Sequence, residues 1–396
     1  MNARILLAGG GTGGHVFPLV ALAEVLSVIA PSIEVRFVGT ETGLEARVVR
    51  ERGWTLDTLP MEPLQGRSIL GKLRGGAMAA AATARATGLV TSHRPKLVVS
   101  IGGYAAGPVS LAAAALGIPV VLLEPNRTAG LTQRLLVPLA KRIYVGFPEA
   151  LSAAGEKGRA FGIPLRKGFS RFPLAVRAAD EPIHILIMGG SQGAEHLNQT
   201  MPAVIARLAR GASIRVVHQA GRDRAGDVRQ RYGRAFDSAA ASAIDRGNVA
   251  DDATRLEDEM ERARRKGPKE PPVEIVEFIA DVPARLQQAD VVVARSGALT
   301  CAELCAVGRP SILIPYPHAA DDHQAANAEA LQAVGAAIAI RQEQATVEAV
   351  NDAMRSLVID PAFRARMAAA AANRGMPDAA ENIARDMLAL VRLEAA

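Results

Sequence analysis

Three stretches of the chain put glycines, hydroxyls and charges where an apolar run gives way to a helical pattern. Gly9-Gly10-Gly11-Thr12-Gly13-Gly14-His15 follows the run 5–8, and Gly189-Gly190-Ser191-Gln192-Gly193-Ala194 follows 183–188. Arg295-Ser296-Gly297-Ala298-Leu299-Thr300-Cys301-Ala302-Glu303 follows 291–294. Glycine takes left-handed backbone without steric cost and leaves no side chain to hold a ligand off. The helix behind such a loop offers unpaired N–H groups and the positive end of its dipole, so its natural guest is a phosphate or diphosphate. His15, at the mouth of the first loop, is placed to act as a base or as a cation facing a diphosphate. Glu303, about one turn into its helix, suits the paired hydroxyls of a ribose, although an acid there also favours a helix N-terminus; spacing leaves both readings open.

Other polar groups follow apolar runs in the same way. Gly102-Gly103-Tyr104 and Glu124-Pro125-Asn126 should face a cleft, with Glu124 as a second candidate base or as a helix cap. The stretch 315–324 gathers His318, Asp321, Asp322, His323 and Gln324 on a loop after a strand, where sugar hydroxyls are commonly read. No Asp-x-Asp pair occurs in the chain, so diphosphate charge has to be met by backbone amides and cations, without a metal or other cofactor.

The elements that position these groups repeat. Strands are expected over 5–8, 34–38, 97–100, 119–123 and 141–145, with helices over 18–29, about 75–90 and 108–116. The second half repeats the plan with strands over 183–188, 214–219, 274–278, 291–294 and 311–315. Apolar strands alternating with helices predict doubly wound parallel sheets with ligands at the strands' carboxyl ends. Two such halves give two α/β domains facing across a cleft, as a length of 396 residues allows at about 150 residues per domain. The tract 235–272 loses periodicity and reads as a surface insertion, and 378–393 reads as a helix placed to pack back on the first domain.

Composition narrows the function. Aromatics make up 4% of the chain, with one Trp and four Tyr, too few for a base-stacking nucleic-acid platform. Cys301 and Cys305 read as two core thiols of a reducing compartment. The run 5–8 is too short for a signal core. The uncharged stretch 97–123 is long enough to span a bilayer but is broken by glycines and prolines where a strand-helix-strand unit turns. Residues 1–165 carry 17 Lys/Arg against 10 Asp/Glu, and 63–123 holds no acid at all. Within it Arg67, Lys72 and Arg74 interleave with Leu64, Ile69, Leu70, Leu73 and Met78, a pattern suited to an anionic membrane surface or to a solvated helix face.

Two familiar fingerprints fail. Gly9-x-Gly11-x-x-Gly14 matches the dinucleotide pattern, but Glu34 opens its strand where the ribose-binding acid should close one. Gly66-x-x-x-x-Gly71-Lys72 lacks the magnesium-holding Ser or Thr of a P-loop, since Leu73 follows.

Taken in order, Gly10 to His15, Gly102 to Tyr104, Gly189 to Ala194 and the Arg-Ser-Gly-Ala-Leu-Thr-x-x-Glu run ending at Glu303 resemble the bacterial MurG family across almost the whole chain. These are N-acetylglucosaminyltransferases that turn lipid I into lipid II on the cytoplasmic face of the membrane. The resemblance implies a GT-B fold: domain 1–165 for acceptor and membrane, 166–375 for donor with the insertion 235–272, and 376–396 as a returning helix. It implies UDP-N-acetylglucosamine held by Arg166 and Ser191 at the diphosphate, Ile279 at uracil, Ala298, Leu299 and Thr300 at the nucleotide, Glu303 at ribose and Gln324 at the sugar. Thr12, Gly13, Gly14 and Asn126 would border the reacting sugar, and Gly11, His15 and Tyr104 the lipid I acceptor. An inverting transfer follows, with His15 as first candidate base and Glu124 as second. Two departures stand out: Leu123-Glu124-Pro125-Asn126 replaces the family's His-Glu-Gln-Asn, and 235–272 is longer than the family's tract. Another GT-B transferase with a lipid or natural-product acceptor, or a non-catalytic nucleotide-sugar-binding protein, are the competing readings; a nicotinamide dehydrogenase fits the first loop only.

Overall fold

The computed structural model describes residues 3–60, 69–103, 105–178, 180–190, 193–247 and 272–392; for 69–80, 240 and 242–247 it describes the backbone course only. The first half contains β1 (Arg4–Gly9), β2 (Glu34–Thr40), β3 (Thr55–Leu59), β4 (Leu97–Gly102), β5 (Val120–Glu124), β6 (Arg142–Val145) and β7 (Gly158–Arg159). The second contains β8 (Ile183–Met188), β9 (Ile214–Gln219), β10 (Val273–Val276), β11 (Val291–Ala294), β12 (Ser311–Leu313) and β13 (Ala337–Ala339). They form two separate sheets, ordered β3-β2-β1-β4-β5-β6-β7 and β10-β9-β8-β11-β12-β13. Each neighbouring pair is parallel. In each sheet the strand order reverses beside the first strand of its half, so connections leave in opposite directions and open a crevice there. The loops after β1 and β4 flank one crevice, and those after β8 and β11 the other. The glycines at 9–14, 102–103, 189–193 and 297 lie at these strand ends and loops.

Where the fold departs from the sequence reading, the reasons are local. The first helix, α1 (Gly13–Ile29), begins five residues before Pro18, because glycines and His15 enter its first turn, where N–H groups need no helical partner. The helix α2 (Leu44–Glu51) and the strands β3, β7 and β13 were not anticipated, being short or rich in polar residues. The helix α3 (Ile69–His93) starts ahead of residue 75. Periodicity does not end at 235, since the alanine-rich helix Ala225–Gly247 continues through it; residues 248–271 of the expected insertion lie outside the described residues, as do 61–68 of the basic segment. The uncharged stretch is β4, α4 (Ala106–Ala115) and β5, and among the described residues no helix is long and apolar enough to cross a membrane.

The chain's last described helix, Ala379–Leu390, lies against α1 and contributes Ile383, Ala384, Met387 and Leu388 to the core formed by β1, β2 and β4. Asp386 anchors it, accepting from the Tyr144 hydroxyl at 2.7 Å and facing Arg142 at 3.1 Å. At about 1.5–3 kcal/mol for each large apolar side chain fully buried, this helix is part of the first core and no appendage.

Candidate functional site

After β1 the chain turns through Gly10 and Gly11, the latter at φ +87°, and enters α1. The turn is held from below by Glu45 of α2, a residue the sequence reading missed. One carboxylate oxygen accepts from Gly11 N–H at 2.8 Å, the other from Thr40 N–H at 2.9 Å and the Thr40 hydroxyl at 2.7 Å. Burial pushes this carboxyl up, but the bonds from Thr40 and Gly11 prevail and hold it below the ordinary carboxylate value. A Cβ at Gly10, Gly39 or Gly43 would collide with the carboxylate, so these three glycines are the trace Glu45 leaves in the sequence. Gly11 N–H is therefore committed to Glu45. The amides left to receive an anion are those of α1's first turn, Gly13 and Gly14, behind the extended Thr12.

His15 lies in that first turn with Nδ1 3.2 Å from the Gly10 carbonyl oxygen. A carbonyl only accepts, so Nδ1 carries the proton and Nε2 keeps its lone pair. A Cβ on Gly102 would lie 3.8 Å from Nε2, which puts that nitrogen over the end of β4, in the crevice. Burial, the largest influence, lowers the affinity of the ring for a proton; the Gly10 bond raises it, His323 of the second half lowers it and Glu45 raises it. The net shift is downward, leaving a neutral ring at pH 7.

Glu124 ends β5, buried, and its Oε1 accepts from Asn126 N–H at 2.9 Å and from Asn126 Nδ2 at 3.4 Å. Burial raises it to about 7 against the opposing bonds of Asn126 and Gly130. Its Oε1 thus helps to order the loop after β5. That loop is tied across the crevice by Asn327, 0% exposed in the helix His323–Ala333 and unforeseen in the sequence. Asn327 Nδ2 donates to Asn126 Oδ1 and to the Ser296 carbonyl, both at 3.2 Å, and its Oδ1 accepts from Arg127 N–H at 3.0 Å.

On the second half, Gly297 caps the helix Ala298–Val307, which presents Ala298, Leu299 and Thr300 in its first turn. Glu303 is buried one turn further and pairs with Arg166 at 3.7 Å. Burial raises Glu303 to about 7, opposed by Arg166. The carboxyl looks into the crevice instead of capping its own helix. The Arg166 guanidinium lies 4.5 Å from the ring centre of Phe17 on α1, so this arginine touches both halves. Gln324 accepts from Tyr316 N–H at 3.0 Å through Oε1 and from the Ser296 hydroxyl at 2.8 Å through its carbonyl; neither bond uses its Nε2 group. Ile279 is buried beyond β10. Arg295 braces the Ile314 and Pro315 carbonyls at 3.0 Å each and Gln342 at 2.7 Å.

Ser191 and Tyr104 lie outside the described residues; their neighbours Gly103, Gly190 and Gly193 all hold positive φ, the conformation that requires glycine. Cys301 and Cys305 are free and buried. Among the described residues no group of three or more His, Cys, Asp and Glu is arranged to hold a metal. Contacts between the halves link these groups: Asn327 reaches Asn126, Arg166 meets both Phe17 and Glu303, and the field of His323 reaches His15.

Comparison with known proteins bears on this arrangement. The model for the glycosyltransferase family 28 N-terminal domain matches residues 5–145, and that for the family 28 C-terminal domain matches 184–383. A protein of Sorangium cellulosum, named UDP-N-acetylglucosamine--N-acetylmuramyl-(pentapeptide) pyrophosphoryl-undecaprenol N-acetylglucosamine transferase, is 46% identical over 98% of this chain and 88% of its own. A protein of the same name from Acidithiobacillus ferrooxidans is 40% identical over 97% of each chain. The crystal structure of MurG from Acinetobacter baumannii superposes with a TM-score of 0.75 at 26% identity, covering 98% of this chain and 99% of that one.

Proposed function

The chain belongs to the MurG family of glycosyltransferase family 28, with its GT-B fold and N-acetylglucosaminyltransferase activity, and from that membership we propose that it moves N-acetylglucosamine from UDP-N-acetylglucosamine to the muramoyl 4-hydroxyl of lipid I. The transfer is inverting. The hydroxyl attacks the anomeric carbon from the side opposite the departing UDP, and a base takes its proton as the new bond forms. His15 is that base. The observation that carries this assignment is the 3.2 Å approach of Nδ1 to the Gly10 carbonyl, which only accepts and so selects the Nδ1–H tautomer, leaving the lone pair on Nε2 beside the end of β4. Glu124, committed to Asn126, orders the loop beside it.

Arg166 and the first-turn amides at Ala298, Leu299 and Thr300, with Ser191, meet the charge on the leaving diphosphate without a metal. Glu303 receives the ribose hydroxyls, Gln324 the sugar and Ile279 the uracil. Thr12, Gly13, Gly14 and Asn126 border the reacting sugar, while Gly11, His15 and Tyr104 face the acceptor. Residues 1–165 form the acceptor side and 166–375 the donor side.

The acceptor's polyprenol requires the first domain to meet an anionic membrane, and we place the enzyme on the cytoplasmic face as a peripheral protein. Support comes from α4, which packs between α3 and α5 (Leu131–Leu136). Leu131 and Leu135 stand 65% and 68% exposed on successive turns, and Leu111 of α4 and Leu116 just after it are exposed too. Release of UDP from UDP-N-acetylglucosamine, measured with and without a soluble lipid I analogue, tests the proposal. Acceptor-dependent release supports it, and release indifferent to the acceptor overturns it.

A further inference from the structure

Gly10 C=O and Gly11 N–H are two ends of one planar amide, pointing in opposite directions. Glu45 receives the N–H at 2.8 Å and His15 Nδ1 gives its proton to the C=O at 3.2 Å. The order is therefore carboxylate, peptide, imidazole, ending at the Nε2 lone pair in the crevice. We propose that Glu45 is a positioning residue for His15, acting through this single peptide group to fix the tautomer and strengthen the basicity of Nε2.

Three features beyond the chain of bonds support it. The amide is polarised by a full negative charge at its N–H end, which makes its oxygen a better acceptor; hydrogen bonds linked in this way strengthen one another. Space for the arrangement is reserved by glycines: Gly10, Gly39 and Gly43 around the carboxylate, and Gly103, whose Cβ would lie 2.8 Å from the Gly10 oxygen. The carboxylate is also pinned from the other side by Thr40 at the end of β2, so it cannot follow the loop if the loop moves. A loop built only to bind an anion gains nothing from a buried negative charge on one of its own amides. A loop built to orient a base does.

Among the described residues, the titratable groups whose fields reach His15 are Glu45 from α2 and His323 from the helix His323–Ala333. His323 lowers the proton affinity of the ring and Glu45 raises it, so removing the Glu45 charge leaves a weaker base that is freed of its proton at lower pH.

The proposal rests on His15 being the base, and the test separates the two. The pH profile of kcat and of kcat/KM is measured with UDP-N-acetylglucosamine and a soluble lipid I analogue for the parent, Glu45→Gln and His15→Gln. In Glu45→Gln, kcat falls about tenfold to a hundredfold, by analogy with the loss of an outer-shell partner from a metal-bound histidine. Its acid limb moves to lower pH, and kcat falls by a larger factor than KM for the donor rises, because the diphosphate, ribose and uracil contacts assigned above lie on the other half. A lower kcat with an unmoved acid limb would reduce Glu45 to a loop support and overturn the inference alone. Parental activity in His15→Gln would overturn the base assignment and this inference with it. Should Glu45→Gln fail to fold, Glu45→Asp keeps the charge and lengthens the bond to Gly11. Ring nitrogen shifts of His15 by NMR should then show the Nδ1–H form less dominant than in the parent, and an unchanged tautomer balance overturns the inference.

Discussion

Glu303 and Arg166 meet with a carboxylate oxygen 3.7 Å from a guanidinium nitrogen. The arginine has further support from Phe17, on the opposite half. Burial alone leaves Glu303 reluctant to ionise, and Arg166 offsets that only in part. A bound nucleotide sugar offers each of them a new partner, hydroxyls for the acid and a diphosphate for the cation.

Replacing Glu303 with Ala should therefore weaken UDP-N-acetylglucosamine binding by roughly 1–3 kcal/mol, the cost of a lost charged acceptor. Because the carboxyl holds its proton up to about pH 7 and only the ionised form accepts from both hydroxyls, parental affinity should rise as pH passes through about 7. In Glu303→Gln that rise should vanish. Titration calorimetry from pH 6 to 8 reads both effects; a parental constant in the alanine variant would remove Glu303 from the ribose site.

Asn327→Ala strips partners from the half-buried Arg127 N–H and the buried Ser296 carbonyl at once. Each orphaned group costs about 1–3 kcal/mol. Thermal unfolding should show a clearly lowered midpoint, and kcat should fall because Asn126 loses its brace. A variant as stable and as active as the parent would mean the two halves need no such tie.

Chelation should leave turnover largely intact, since cations and amides are assigned the diphosphate charge. Activity lost in EDTA and restored by magnesium or manganese would refute that assignment.

Membrane association should weaken with salt, because surface charge is screened beyond about 8–10 Å at physiological ionic strength. Lys72→Glu with Arg74→Glu should lose binding to anionic vesicles, at about 1 kcal/mol for each cation near the headgroups. Leu131→Gln with Leu135→Gln should weaken it through lost apolar contact. Both doubles should keep turnover on a short, soluble acceptor. Sedimentation with vesicles equal to the parent's would send the search to another face.

The sequence revealed what depends on local chemistry. Predominantly apolar, β-branched runs marked β8 and β11 to the residue, because a strand covered on both faces leaves little room for polar side chains, while β9 was marked by Ile214, Val216 and Val217 despite Arg215 and His218. Helical spacing marked the returning helix for the same reason. β3 was hidden by Thr55, Asp57 and Thr58 on an edge strand, where polar side chains reach water. Glu45 and Asn327 were hidden because the partners that tie them to the site lie far off in sequence, Gly11 34 positions from Glu45 and Asn126 and Arg127 about 200 from Asn327. Glu45 was foreshadowed only by glycines at 10, 39 and 43, which look like ordinary turn residues until a structure shows the carboxylate between them.

The returning helix Ala379–Leu390 also sets an order of events during synthesis. The first sheet's strands emerge early, but the groove on α1 that Ile383, Met387 and Leu388 fill has no occupant until almost the whole chain has left the ribosome. At 5–20 residues per second that wait is on the order of tens of seconds. Through it the nascent first domain carries an uncovered apolar flank, the kind of surface that chaperones hold. The second domain must therefore be made, and can close its own core, before the first one is finished.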